Sequence, residues 1–352
     1  MNSVATGRHP ALRGGLLALG AAGLFGASTP LVQFAGREVG PFSTAALLYC
    51  GAAALGAALR QPVHREAALR RADLPRLGWM ALFGAVVGPV ALAWGLRHTS
   101  GTSASLMLAL EALFTAVLAR TLYTERMDRR VWAALLLMMA GGIVLVLDRG
   151  GTGQAQLLGL LAVLGATAAW GVDNTLSRAL AERDPAQVVL VKSSLGSVAT
   201  VALTWVAGEH WPGWGPACAL LVIGATGYGL SLRLYLLAQR AFGAARTGSV
   251  FAFAPFIGAA LAISMGDRSL SWAMAGGGAL MLVGVVLHLA ESHGHEHAHE
   301  MLDHEHAHSH DDGHHNHTHE PMPTGPHSHR HHHQPMRHAH PHVPDVHHAH
   351  DH

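Results

Sequence analysis

Ten apolar runs, each close to the ~20 residues that cross a bilayer core, recur between residues 12 and 290 of this 352-residue chain. They cover roughly 12–35, 42–60, 74–96, 101–122, 130–148, 156–178, 186–207, 215–239, 243–265 and 270–290. Charge points the same way. Residues 1–290 hold 21 Lys+Arg and 12 Asp+Glu, or 33 charged residues in 290. A soluble domain carries roughly 25%, so this segment has too few charges to cover a water-soluble surface. Gly and Pro are frequent inside the runs, as membrane helices allow. Gly84/Gly88 and Gly20/Gly23/Gly26 have the spacing that lets helices approach closely. The expected fold is an all-α integral membrane protein with ten transmembrane helices.

The runs repeat. Gly15–Gly26 matches Gly159–Gly171 with one inserted residue, so the basic, apolar N-terminus reads as a retained helix rather than a cleaved signal peptide. Gly101 pairs with Gly243 and Gly142 with Gly284, both at an offset of 142, and the same offset carries Glu125 onto Asp267. Two halves of five helices follow. An odd number of spans per half inverts the second half in the membrane. Inverted repeats are a hallmark of secondary transporters, whose substrate site lies near the midplane between the halves.

Basic residues in the short loops set the orientation. Arg8, Arg13, Arg60, Arg65, Arg70, Arg71, Arg76, Arg126, Arg129, Arg130, Arg183, Arg240 and Arg246 fall on one face, and only Arg37, Arg97, Arg149 and Arg268 on the other. This places both termini in the cytoplasm of a bacterial cell, with the helices in its inner membrane. Cys50 and Cys218 lie in apolar runs and read as small hydrophobes.

The helix pairs Thr99–Leu147 and Ala241–Leu289 share a small-residue start, Gly101-Thr-Ser-Ala and Gly243-Ala-Ala-Arg. Each continues with a mid-helix element, Leu110-Glu-Ala-Leu-Phe and Phe253-Ala-Pro-Phe, and an acidic turn, Thr124-Glu-Arg and Gly266-Asp-Arg. On these motifs the chain resembles the EamA-type permeases of the drug/metabolite transporter superfamily. The family pattern has a proline near the middle of the fourth and ninth helices. Pro255 keeps it, while Ala112 or Leu113 stands there in the first repeat. The resemblance implies one EamA repeat over 12–148, a second over 156–290, and export or exchange of small solutes.

An ionisable side chain at the bilayer centre costs about 2.5–3.5 kcal/mol on insertion scales and so marks a candidate site. Glu111 is the eleventh residue of the run 101–122 and falls near midplane, where it could meet a cationic substrate or a coupling proton. Asp173, Lys192 (the only lysine) and Arg233 fall in the cytoplasmic third of helices six to eight. The two cations could snorkel, or one of them could pair with Asp173 as an inner gate, because an unpaired buried charge is costly. Thr29, Gln33, Trp94, Trp170, Asn174 and Tyr228 could line the path, and Trp211 and Trp214 read as interface anchors. Pro30, Pro89 and Pro255 mark kinks or hinges.

Residues 291–352 are different. They hold 24 of the 29 histidines, with 2 Arg and 10 Asp+Glu, a net of −8 against +9 for residues 1–290. Histidine alternates at His293, His295, His297 and His299; at His304, His306, His308 and His310; and at His314 or His315, His317 and His319. Neutral imidazole suits Zn, Cu, Fe and Ni. The tail is expected to be cytoplasmic, disordered without metal, and able to bind divalent transition-metal ions weakly and interchangeably. His295–His299 and His304–His308 satisfy the zinc-protease string His-Glu-x-x-His by composition, without the ordered helix that chemistry needs.

No nucleophile–base pair, phosphate loop or required cofactor is visible, so an enzyme is not expected. The expected partners are the bilayer and a small-molecule or metal-ion substrate, not nucleic acid; a homo-oligomer stays open. Three functions remain: an exporter of small metabolites or drug-like solutes, a nickel, cobalt or zinc efflux permease with the tail as collector or sensor, and a membrane-anchored metal buffer without transport. His9, His64, His98, His210 and His288 sit near predicted membrane edges and give no dense metal path through the helices.

Overall fold

The computed structural model describes the backbone of residues 10–62, 65–123, 129–148, 153–180, 183–242, 244–269, 271–289, 294–298, 302–308, 327–333 and 337–341. Among these, nine helices are long and apolar enough to cross a membrane. They are α1 (Leu12–Ala35), α2 (Pro41–Leu59), α3 (Arg71–Leu96), α4 (Gly101–Leu122), α5 (Arg129–Leu147), α6 (Gln156–Leu180), α7 (Pro185–Val206), α8 (Trp214–Ala241) and α9 (Arg246–Ser264). A tenth apolar helix, α10 (Trp272–Leu287), is shorter. It stands where the tenth span, 270–290, is expected, and at its start the Ser271 hydroxyl accepts from Met274 N at 2.9 Å.

Local chemistry sets the other ends. Ser100 caps α4 by accepting from Ser103 N at 3.0 Å. Asp184 caps α7 by accepting from Ala186 N at 2.9 Å, with Pro185 following it where no donor is needed.

The packing is symmetric between the halves. α2 packs on α7, α5 on α10 and α4 on α9, each against its own counterpart. α1 packs on α8 and α9, and correspondingly α6 packs on α3 and α4. Exchanging the halves maps these contacts onto themselves, as an inverted repeat requires. The closest approaches are made by glycine. A side chain at Gly51 of α2 would strike the Leu221 carbonyl of α8, and one at Gly224 would strike the Leu48 backbone.

Irregular backbone recurs at matching places. α3 carries a π-helical stretch at Ala81–Val87 and α8 one at Gly224–Leu230, starting 143 residues apart. α4 tightens into a 3₁₀ turn at Leu108–Leu110, and α9 breaks between Phe251 and Ala254. Pro255 accounts for the break in α9. α4 has no proline there and breaks nonetheless.

The tail departs from the disordered expectation in its described residues. β1 (Gly294–Ala298) pairs antiparallel with β4 (Arg337–Pro341), and β2 (Leu302–His308) with β3 (His327–His333). Alternation at i, i+2 is the strand period, so the histidine spacing is compatible with extended pairing. Of the tail histidines named above, His295, His297, His304, His306 and His308 fall in these strands. His293, His299, His310, His314, His315, His317 and His319 lie outside the described residues, as does Glu125.

Candidate functional site

The break in α4 comes immediately before Glu111, which therefore opens the half-helix Glu111–Tyr123. The 3₁₀ turn does not free the backbone of Glu111, whose N–H bonds the Leu108 carbonyl. Asn174 of α6 donates a hydrogen bond to Glu111 Oε1. One residue earlier on α6, Asp173 forms an ion pair with Lys192 of α7. Lys192 is only 3% exposed, which excludes a snorkelling side chain. Asp173 Oδ1 has no hydrogen-bond partner among the described residues. Glycine makes room for this pair, since a side chain at Gly84 of α3 would collide with the Asp173 carboxylate. The structure thus brings together Glu111, Asn174, Asp173 and Lys192. Arg233 does not join them. Its Nε is buried without a partner among the described residues, and its charge acts on Glu66 of the α2–α3 connection.

An aromatic cluster lies beside these charges. In the π-helical stretch of α3, the Gly88 N–H bonds Phe83 O and so skips the Gly84 carbonyl. The freed carbonyl accepts from Trp170 Nε1 at 3.0 Å and from the Tyr49 hydroxyl. Ser231 N–H skips Gly227 in the same way in α8, bonding Thr226 O. Phe25 of α1 then contacts Trp170, Tyr228 and Phe251, with ring centroids 5.5, 5.9 and 5.4 Å away. Tyr49 meets Tyr228 at 5.6 Å, and Tyr235 meets Phe251 at 5.0 Å. Sequence reasoning singled out Trp170 and Tyr228 and missed Phe25, Tyr49, Tyr235 and Phe251. Phe25 and Phe251 look like ordinary lipid-soluble residues on a helix, and only the offset of the two π stretches could have pointed to this depth.

The two faces of the bundle differ. On the face opposite the arginine-rich loops, a cavity of about 1030 Å³ opens between the ends of α1, α3, α4, α9 and α10. Gln33, Arg37, Arg97, His98, Asp267 and Arg268 are among its lining residues. Gln33 donates to the Leu96 and Thr99 carbonyls, both at 2.9 Å, and ties α1 to the α3–α4 turn. Trp94 stacks on His98 at 4.1 Å and does not line the cavity. Asp267 accepts from Thr102 N at 2.9 Å and from its hydroxyl at 2.8 Å, capping α4 from the other half. Burial pushes the Asp267 carboxyl up, but hydrogen bonds from Ser269 and Thr102 outweigh it and hold the group below the usual carboxylate range. Glu209 caps α2 likewise, accepting from Ser43 N at 2.8 Å.

On the arginine-rich face, ion pairs and hydrogen bonds join the described residues of the two halves. Arg183 Nε pairs with Asp73 at 3.0 Å, and Arg240 with Glu66 at 2.8 Å. Arg240 also donates to the Arg183 carbonyl at 2.8 Å, Gln61 N donates to Asp184 at 3.2 Å, and Leu69 N donates to Gln187 at 2.9 Å. Every one of these bonds ties α3 or the α2–α3 connection to the second half or, for Arg240 and Arg183, links elements within it. Burial pushes the Glu66 carboxyl up, against the pull of the Arg240 guanidinium. Among the described side chains no group of three His, Cys, Asp or Glu comes together to hold a metal ion.

The sequence profile of the EamA-like transporter family matches residues 12–147 and again 157–290. An uncharacterized transporter of the archaeon Methanothermobacter thermautotrophicus is 26% identical over 241 residues, covering 65% of this chain and 68% of that protein. The crystal structure of another protein is 23% identical, with a TM-score of 0.58 over 78% of this chain and 94% of the other. At that identity the likeness is one of fold.

Proposed function

The chain belongs to the EamA-like transporter family, and from that premise we propose that it is a secondary transporter of the bacterial inner membrane, exporting small metabolites or drug-like solutes by alternating access. The arginine-rich face is cytoplasmic and both termini lie there, following the loop bias. The bundle is then in an outward-open state, with the 1030 Å³ cavity facing outward and the ion pairs closing the inner side. Ten spans, the shorter α10 among them, complete the two inverted repeats. The observation that carries the reading is the placement of Glu111, Asn174, Asp173 and Lys192 at the interruption of α4. Buried charge at a broken helix between inverted halves is the arrangement that binds substrates and coupling ions.

In this cycle Glu111 takes the coupling proton or the cationic group of the solute. Asn174 orients it, and Trp170 and Tyr228 present apolar surface to the rest of the molecule. Lys192 pairs with Asp173 until the inner side opens. A divalent-cation substrate has only the tail to support it, so metal ions enter the test as competitors.

The test is uptake into inside-out vesicles, whose lumen stands for the cell exterior, with a panel of amino acids and drug-like solutes beside Ni(II), Co(II) and Zn(II). Glu111→Gln is expected to lower wild-type transport of at least one organic solute by tenfold or more, while deletion of residues 291–352 leaves it within about twofold. Transport of a metal ion alone, or no transport of any solute, would overturn the organic-solute reading.

A further inference from the structure

Basic residues are scarce on the face opposite the arginine-rich loops. Only Arg37, Arg97, Arg149 and Arg268 fall there, and Arg149 lies outside the described residues. The other three all line the cavity of about 1030 Å³. They come from three separate connections, α1–α2, α3–α4 and α9–α10. Arg37 and Arg97 belong to the first half and Arg268 to the second, so the cluster exists only where the halves meet.

The carboxylates of the cavity are spent elsewhere. Asp267 Oδ2 accepts from Thr102 N at 2.9 Å and from its hydroxyl at 2.8 Å, and Oδ1 accepts from Ser269 N at 3.0 Å. Asp148 accepts from the Ser271 hydroxyl. Glu209, on the same face, caps α2, and Glu38 does not line the cavity. Among the described residues no ion pair engages Arg37, Arg97 or Arg268. Arg37 lies over Phe34 with its guanidinium carbon 5.6 Å from the ring centroid, a contact that leaves N–H groups for a ligand. All three arginines are solvent-exposed. A cleft lined by one sign of charge with low-dielectric walls concentrates ions of the other sign. The guanidinium fork, in turn, matches a carboxylate or phosphate group with two parallel hydrogen bonds.

We propose that the cavity is an anion site, in which Arg37, Arg97 and Arg268 bind a carboxylate or phosphate group through their guanidinium forks. That group has two sources, a soluble organic anion or the headgroup of an anionic phospholipid. The site stands apart from the transport reading, because its occupancy is measured without turnover.

The test is thiol labelling of the full chain carrying Cys50→Ser, Cys218→Ser and Met265→Cys, the last at an exposed residue lining the cavity. In phosphatidylcholine nanodiscs at low salt, an anionic methanethiosulfonate is expected to outpace its cationic counterpart by roughly tenfold, relative to their rates with a free thiol. Succinate or inorganic phosphate is expected to slow a neutral maleimide by roughly threefold or more, and sodium chloride of equal ionic strength is not. If the source is a headgroup, the same protection appears on adding phosphatidylglycerol to the nanodiscs and not with the soluble anions. Combining Arg37→Gln, Arg97→Gln and Arg268→Gln is expected to abolish both the preference and the protection. Combining Arg37→Lys, Arg97→Lys and Arg268→Lys keeps the charge and the preference but weakens the protection, since lysine lacks the fork. No preference for the anionic reagent, no protection by succinate, phosphate or phosphatidylglycerol, or protection as strong in either variant as in the parent would each overturn the proposal.

Discussion

Lys192 and Asp173 show what one buried residue commits a helix bundle to. Both are nearly inaccessible, and they neutralise one another across α6 and α7. Removing one partner leaves the other buried and unpaired, at a cost of about 3–5 kcal/mol, whereas removing both costs much less. Lys192→Met is therefore expected to lower the melting midpoint strongly, and Asp173→Asn with Lys192→Met to recover most of the loss. A double variant as unstable as the single would show that the pair is not what makes Lys192 costly to lose. Sequence reasoning found both residues because charge in an apolar run is conspicuous. It could not choose Lys192 over Arg233 as the partner of Asp173, since that depends on how α6, α7 and α8 pack. Gly84 was legible only as a small residue; its position against the Asp173 carboxylate is a tertiary fact.

The same limits hold for whole elements. Nine spans and their order follow from the length and apolarity of the runs, because a bilayer leaves few alternatives to helices. The interruptions did not follow. The break in α4 falls at Leu108–Leu110 with no proline to announce it, and it corresponds by offset to the break that Pro255 makes in α9. Leu113, at the position equivalent to Pro255, follows the 3₁₀ turn of α4 as Pro255 follows the break in α9. Leu113→Pro is thus expected to keep transport within about threefold of wild type. Val117→Pro, in the middle of the same half-helix, costs roughly 3 kcal/mol or more and is expected to abolish transport. If the two prolines are equally harmful when assayed side by side, α4 works as one continuous helix. In the tail, composition suggested disorder, while the described residues pair into ladders, a choice that no periodicity of polar residues can make from the sequence.

For the whole molecule, on the proposed reading, the arginine-rich face sealed by its ion pairs and the open opposite face are one conformer of a cycle. Loop charge sets an expected orientation, but which face is open depends on contacts between residues more than a hundred positions apart, such as Arg183 with Asp73. The pH response follows from Glu66. Burial raises its pKa in the sealed form relative to a solvated carboxyl, so the sealed form binds the proton more readily. Acidification of the arginine-rich side through the titration of Glu66 is therefore expected to favour the sealed form, and alkalinity to weaken it. Asp267 has the opposite sign. Its lowered pKa stabilises the cap on α4 above the ordinary carboxylate range, and that stability is lost only as pH falls through its depressed value.

Alternating access is the central claim, and the latch at Arg240 gives it a direct measurement. Arg240→Gln leaves Glu66 buried without this counter-ion and so opposes closure, while the double variant with Glu66→Gln removes both charges and restores it. With Cys50 and Cys218 replaced by serine, a single cysteine at Ala93, a residue lining the cavity, reports which face is open. A membrane-impermeant maleimide is expected to label it from the face opposite the arginine-rich loops, at least threefold more slowly in Arg240→Gln and at the original rate in the double variant. An unchanged rate in Arg240→Gln, or labelling only from the arginine-rich side, would contradict the account.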